Sequence, residues 1–116
     1  LNKPNGLFID ENQKLVANMN EGIVYRFDPQ QKKMEKWTEG TPSCDGISID
    51  GKGNFFISNW HGEVYFVKPD GKNFKILDTK SEKINAADLE YAQGPELLLV
   101  PTFFGNKVEA YKVKYK

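Results

Sequence analysis

With 116 residues, 39% hydrophobic and 13% aromatic, the chain has the length of one ordinary domain and the composition of a soluble globular one. Sixteen basic residues balance sixteen acidic ones and the lysines are scattered, which leaves no field to hold a phosphate backbone and argues against a nucleic-acid partner. The longest apolar run, Leu97 to Val100, is too short for a membrane span, and a single cysteine excludes an internal disulfide while leaving the redox compartment open.

From the start of the chain, apolar residues alternate at Leu7 and Ile9. A polar turn, Asp10 to Lys14, leads to Leu15-Val16-Ala17, Asn18 to Gly22 turns into Ile23 to Phe27, and Met34 to Trp37 closes the unit. The same plan follows from Cys44: Ile47 and Ile49, a turn at Asp50 to Asn54, Phe55 to Ser58, a turn at Asn59 to Gly62, Val64 to Val67, a turn at Pro69 to Lys72, and Phe74 to Leu77. Asn5-Gly6-Leu7 lies over Asp45-Gly46-Ile47, Gly22 over Gly62 and Val24-Tyr25 over Val64-Tyr65, at a constant offset of 40 (45 − 5, 62 − 22, 64 − 24). A third, looser copy supplies Ala87 to Tyr91, Leu97 to Thr102 and Val108 to Val113. There Leu89 falls under Ile47, Leu97 to Val100 under Phe55 to Ser58, and Asn106 in place of Gly62, at offsets of 42 to 44 (89 − 47, 106 − 62).

Short strands punctuated by Gly, Asp, Asn and Pro are the signature of a hairpin meander, and no window carries helical apolar spacing over more than a turn. A meander recurring at this period is the plan of a β-propeller blade. We therefore expect an all-β fold, a β-propeller fragment of about three four-stranded blades, with repeats at approximately 4–40, 44–80 and 85–116. A small β-sandwich is the alternative. The third repeat has no fourth strand, and three blades are too few to close a ring. The chain also begins at Leu1 without Met, so the expectation is a fragment whose parent has about six blades, or a homodimer that rebuilds such a ring. Its open blade faces would be apolar.

The residues that point to chemistry sit at the start of the repeats. Asn5 and Asp45 occupy the same place, just before Gly and an apolar strand. If that strand is the innermost of its blade, an amide oxygen and a carboxylate converge on the channel as hard ligands suited to Ca²⁺, Mg²⁺ or Mn²⁺. Asn-Gly and Asp-Gly are also ordinary turn dipeptides, which is the competing reading. Asp88 follows Ala87, which fills the corresponding slot of the third repeat, and is either a turn residue or a group that reaches the channel. His61, the only histidine, lies in a hairpin turn as a solvated residue unless it is catalytic. Cys44 is either a reactive thiol or a small buried side chain. Glu21, Glu35, Glu39 and Glu63 read as a solvated surface, and Phe103 and Phe104 either pack between blades or wall a pocket mouth.

Pro4-Asn5-Gly6-Leu7, Asp45-Gly46-Ile47 with Asp50 and Gly53-Asn54, His61-Gly62-Glu63-Val64-Tyr65 and Pro69-Asp70-Gly71-Lys72 resemble the C-terminal half of the senescence-marker-protein/gluconolactonase family. That family of six-bladed propellers includes regucalcin and luciferin-regenerating enzyme. The resemblance implies a divalent metal in the central channel, foremost Ca with Mg, Mn and Zn as alternatives, and Asn5 and Asp45 as its ligands. It implies a hydrolase acting on a small-molecule substrate such as a sugar lactone, with Asp45 in a catalytic role activating water. Cys44 departs from the Pro usual before the family's Asp-Gly. A non-catalytic propeller of the related NHL type, serving as a binding or scaffold module, is the alternative function.

Overall fold

The structure, a computed structural model, describes residues 3–9 and 15–115, so the turn expected at 10–14 lies outside the described residues. It is all-β, built of antiparallel sheets in chain order. The first holds β1 (Pro4–Ile9), β2 (Leu15–Met19), β3 (Ile23–Asp28) and β4 (Lys33–Glu39). The second holds β5 (Cys44–Ile49), β6 (Phe55–Asn59), β7 (Glu63–Val67) and β8 (Asn73–Asp78). The third holds β9 (Glu90–Ala92), β10 (Leu97–Pro101) and β11 (Val108–Lys112). Each strand pairs with its sequence neighbour, so each sheet is a meander like a propeller blade, and the sheets stop short of a closed ring.

The sequence period is reproduced as a period of defects. β1 slips against β2 between Pro4 and Leu7, and β5 slips against β6 between Cys44 and Ile47. Likewise β3 slips against β4 between Val24 and Tyr25, and β7 against β8 between Val64 and Tyr65. A bulge bends its strand and re-aims the side chains beside it. Asn5-Gly6 and Asp45-Gly46 are the residues inside the first pair of bulges, which is why both break from the alternation that follows them.

Turn chemistry explains the hairpins. Asp28 Oδ1 accepts from the amides of Gln30 (2.9 Å) and Gln31 (3.2 Å), and Asp70 Oδ1 accepts from that of Lys72 (2.9 Å). Gly22 and Gly62 have φ of 89° and 111°, and a Cβ on either would run into the linker to the next sheet, at Pro42 or Ile84. Asn106, with φ 56°, occupies the equivalent turn of the third sheet, since asparagine tolerates the left-handed region better than most side chains.

Packing follows the alternation of each strand. Phe8, Val24 and Trp37 of the first sheet meet Cys44, Ile47, Ile49, Phe55, Ile57, Tyr65 and Val67 of the second. Phe55 takes Phe8 and Trp37 edge-on, at centroid distances of 5.9 and 4.8 Å. The opposite face of the second sheet carries Phe56, Val64, Phe66 and Leu77, which close on Leu89, Tyr91, Leu98 and Val100. β6 is buried along its whole length as a result. Each fully buried apolar side chain contributes about 1.5–3 kcal/mol, so the middle sheet is the energetic centre of the molecule.

The third repeat corrects one expected alignment. Tyr91 pairs with Leu98, whereas its counterpart Ile49 pairs with Phe55, so Leu98 and not Leu97 stands in the place of Phe55. Leu98 and Val100 are therefore the inward residues of β10, each 2% exposed. A one-residue shift exchanges the two faces of a strand, and the burial of these larger contacts against Phe56 and Val64 selects the register. Glu63 is also not part of a solvated surface. It is 4% exposed, accepts from Asn59 Nδ2 at 2.8 Å and pairs with Lys75 at 2.8 Å.

The outer faces of the first and third sheets are open and apolar. Leu7 (70% exposed) and Ile9 (65%) are the counterparts of the packed Ile47 and Ile49, and Val108 (64%) lies on the far side of the third sheet.

Candidate metal and catalytic rim

β1 lies beside β5 and β5 beside β9, so the innermost strands stand in a row, as the channel-lining strands of a propeller do. Their N-terminal ends carry the candidate ligands. The Asn5 amide nitrogen donates to the carbonyl of Cys44 at 3.0 Å and also to the Asp45 carboxylate. Asn5 and Asp45, taken from strands 40 residues apart (45 − 5), are thus brought into contact.

Asp88 joins them. It precedes β9, accepts from the Leu89 amide at 2.8 Å through Oδ1, and lies against Gly46, where a Cβ would collide with its carboxylate. Gly46 is what allows the two chain segments to approach so closely. The Gly46 amide itself donates to Ser58 Oγ at 3.0 Å, which anchors the bulge to β6. Burial pushes the Asp45 carboxyl above its ordinary range, the neighbouring Asp88 charge pushes in the same direction, and the Asn5 hydrogen bond opposes both. Asp88 therefore combines the two roles weighed for it, capping its own strand and facing the rim. The sequence signal was the Ala87-Asp88 pair at the start of the third repeat, one residue out of phase with Asp45.

The remaining candidates fall around this rim. Cys44 is 1% exposed and contacts the Thr41 hydroxyl and carbonyl, and burial pushes its thiol up to about 11. It is a buried neutral side chain, since the thiolate is the reactive species. His61 is exposed in the β6–β7 turn, with Nε2 3.2 Å from Ser43 Oγ. Among the described residues no group of three or more His, Cys, Asp or Glu is gathered as a metal cage. What the rim offers is two carboxylates and an amide, all hard oxygen donors, of the six to eight that Ca²⁺ takes. Their chemistry fits a hard divalent cation, and the Asp45–Asp88 repulsion is of the kind a cation relieves.

No helix among the described residues is long and apolar enough to cross a membrane. No family model matches the chain, and no curated protein matches it. Among solved structures it is similar to the extracellular domain assigned to the one component system BT4673 from B. thetaiotaomicron, with a TM-score of 0.68 and 14% sequence identity. The match covers 92% of this chain and 13% of that one, and a likeness at this identity is a likeness of fold.

Proposed function

We propose that the chain forms part of a metal-dependent hydrolase resembling the sugar-lactone lactonases, with Asn5 and Asp45 as ligands of a divalent cation, foremost Ca²⁺. The observation that carries this reading is the meeting of Asn5, Asp45 and Asp88 at the N-terminal ends of adjacent innermost strands, with Asn5 touching Asp45 and the Asp88 carboxylate lying against Gly46. Burial and the Asp88 charge make Asp45 a stronger base than a free carboxylate. The bound cation would supply Lewis acidity toward the lactone carbonyl. Asp45, as ligand or base, takes the proton of the attacking water and returns it to the ring oxygen as the C–O bond opens. The Asp88 carboxylate beside it would add to the attraction of the rim for the cation.

Terbium luminescence with Ca²⁺ competition tests the reading directly. Wild type binds with competition, and Asp45→Ala loses it; equal binding by the variant would end the assignment. Cation binding without hydrolysis of any lactone would leave the non-catalytic, NHL-like binding module as the better reading. The small number of rim donors favours that second function, because a cation can be held there through added waters without a committed substrate site.

The apolar faces bearing Leu7, Ile9 and Val108 support a larger ring, completed by further blades or by a second copy of this chain. Light scattering on the 116-residue chain distinguishes the two, a dimer mass indicating the second copy and a monomer mass excluding it.

A further inference from the structure

The far end of the first sheet holds a charged cavity that neither the core nor the carboxylate rim uses. β3 starts at the end where β1 begins, since Pro4 pairs with Met19 and Asn18 with Val24, and it runs away from the rim to Asp28. The register of β3 on β4 sets Arg26 against Glu35 and Asp28 against Lys33. Directly opposed residues share a face, as do residues two apart, so all four charges project from one face of the hairpin. It is the face of Val24, which packs towards the second sheet. A cavity of about 270 Å³ lies among these side chains, lined also by Gln31.

Opposite charges set across from one another on neighbouring strands ordinarily attract and close. Here none of the four forms an ion pair with another among the described residues. Lys33 and Glu35 are exposed and water serves them, whereas Arg26 is partly buried. Its guanidinium lies over the Trp37 ring, 4.5 Å from the centroid, and its Nε is buried with no hydrogen-bond partner among the described residues. Trp37 is itself fixed, edge-on to Phe55 at 4.8 Å and donating through Nε1 to the Pro69 carbonyl at 3.0 Å. Asp28 Oδ1 accepts from the Gln30 and Gln31 amides, which keeps that carboxylate in the turn. The guanidinium is thus held against a fixed ring at the wall of a cavity with one donor unsatisfied, and such a donor costs free energy until an acceptor reaches it.

We propose that this cavity binds a small zwitterion, an α-amino acid with a neutral side chain, whose carboxylate takes the fork of Arg26 and whose ammonium lies between Asp28 and Glu35. A carboxylate matches the guanidinium fork and supplies the acceptor that Nε lacks. A simple anion is repelled by Asp28 and Glu35, and a simple cation by Arg26 and Lys33. The lining carries two charges of each sign, so a ligand bearing one of each leaves the site balanced, and a charged side chain would not. The site shares no residue with the rim and depends on neither the cation nor the hydrolase reading.

Titration calorimetry of the 116-residue chain with the neutral L-amino acids, from L-alanine to L-phenylalanine, tests the site. At least one is expected to bind. Its N-acetyl derivative, which lacks the ammonium, and its primary amide, which lacks the carboxylate, are each expected to bind about tenfold more weakly. Arg26→Lys keeps the charge and loses the fork, and lowers the affinity about tenfold. Glu35→Gln, at an exposed position, lowers it by a similar factor, and decides alone should Arg26→Lys shift the thermal melt through lost stacking on Trp37. Equal binding by either derivative would mean a site for a simple anion or a simple cation and overturns the proposal. So does unchanged affinity in Glu35→Gln, or the absence of binding by every neutral amino acid at millimolar concentration.

Discussion

Asp45 and Asp50 stand at opposite ends of one stretch of chain, the first in the opening bulge of β5 and the second just past its end, and their surroundings are opposite. Burial would raise the Asp50 carboxyl, but its donors outweigh burial and hold it below the usual range. Oδ1 accepts from the amides of Lys52 (2.7 Å) and Asn54 (3.0 Å), and Oδ2 accepts from Asn54 Nδ2 (2.7 Å) and Tyr115 Oη (3.0 Å). Asp45 is raised, first by burial and then by the neighbouring Asp88 charge, and its hydrogen bond from Asn5 does not offset them. The difference separates a carboxylate that the fold consumes from one that the fold leaves poised. At Asp50 every lone pair has a partner that also holds a turn or the C-terminal segment. At Asp45 burial and then the neighbouring Asp88 charge make ionisation costly, a cost a binding site can use.

The largest expected effect that sharpens this contrast is at Asp50. Asp50→Ala leaves the Lys52 and Asn54 amides and the Tyr115 hydroxyl without their acceptor, and a loss of about 2–3 kcal/mol is expected in urea unfolding. A loss below about 0.5 kcal/mol would mean that water replaces the carboxylate, and the contrast with Asp45 would fail.

The smaller effect has the opposite sign. The folded-state pKa of Asp45 is raised above its unfolded value, so the native protein binds the proton more tightly, and the cost of ionising Asp45 is present above that folded pKa and relieved as pH falls through it. Asp45→Asn is therefore expected to stabilise the protein at neutral pH, by less than about 1 kcal/mol at this partly solvated site, with the gain vanishing in acid. Asp50 runs the other way: its contribution is present above the unfolded pKa and is lost as pH falls through the lowered folded value. Melting curves of Asp45→Asn and Asp50→Asn against pH should approach wild type in acid from above and from below respectively. Convergence of both from the same side would show that the two carboxyls are not electrostatically distinct.

The rim was partly legible in advance. Asn5 and Asp45 stand out because an offset of 40 is maintained through Gly22 and Gly62 and through Val24-Tyr25 and Val64-Tyr65, and the structure turns that offset into matching bulges. Asp88 was harder to place, because Ala87 occupies the equivalent slot and only the approach of Asp88 to Gly46 brings its carboxylate to Asp45. The exposure of Phe103 and Phe104 had no sequence signal at all, since Phe in a loop looks the same whether a neighbouring sheet covers it or not.

The sequence by itself determined the strand order, the meander plan and the turn positions, because alternation, turn-forming residues and the left-handed demand at Gly22, Gly62 and Asn106 are local properties of the chain. Tertiary structure alone decided the register of β10, the burial of Glu63 and the meeting of Asn5, Asp45 and Asp88. Each of these depends on contact between residues distant in sequence, where the packing of one sheet on the next, and not the propensity of any segment, selects which side chain faces which.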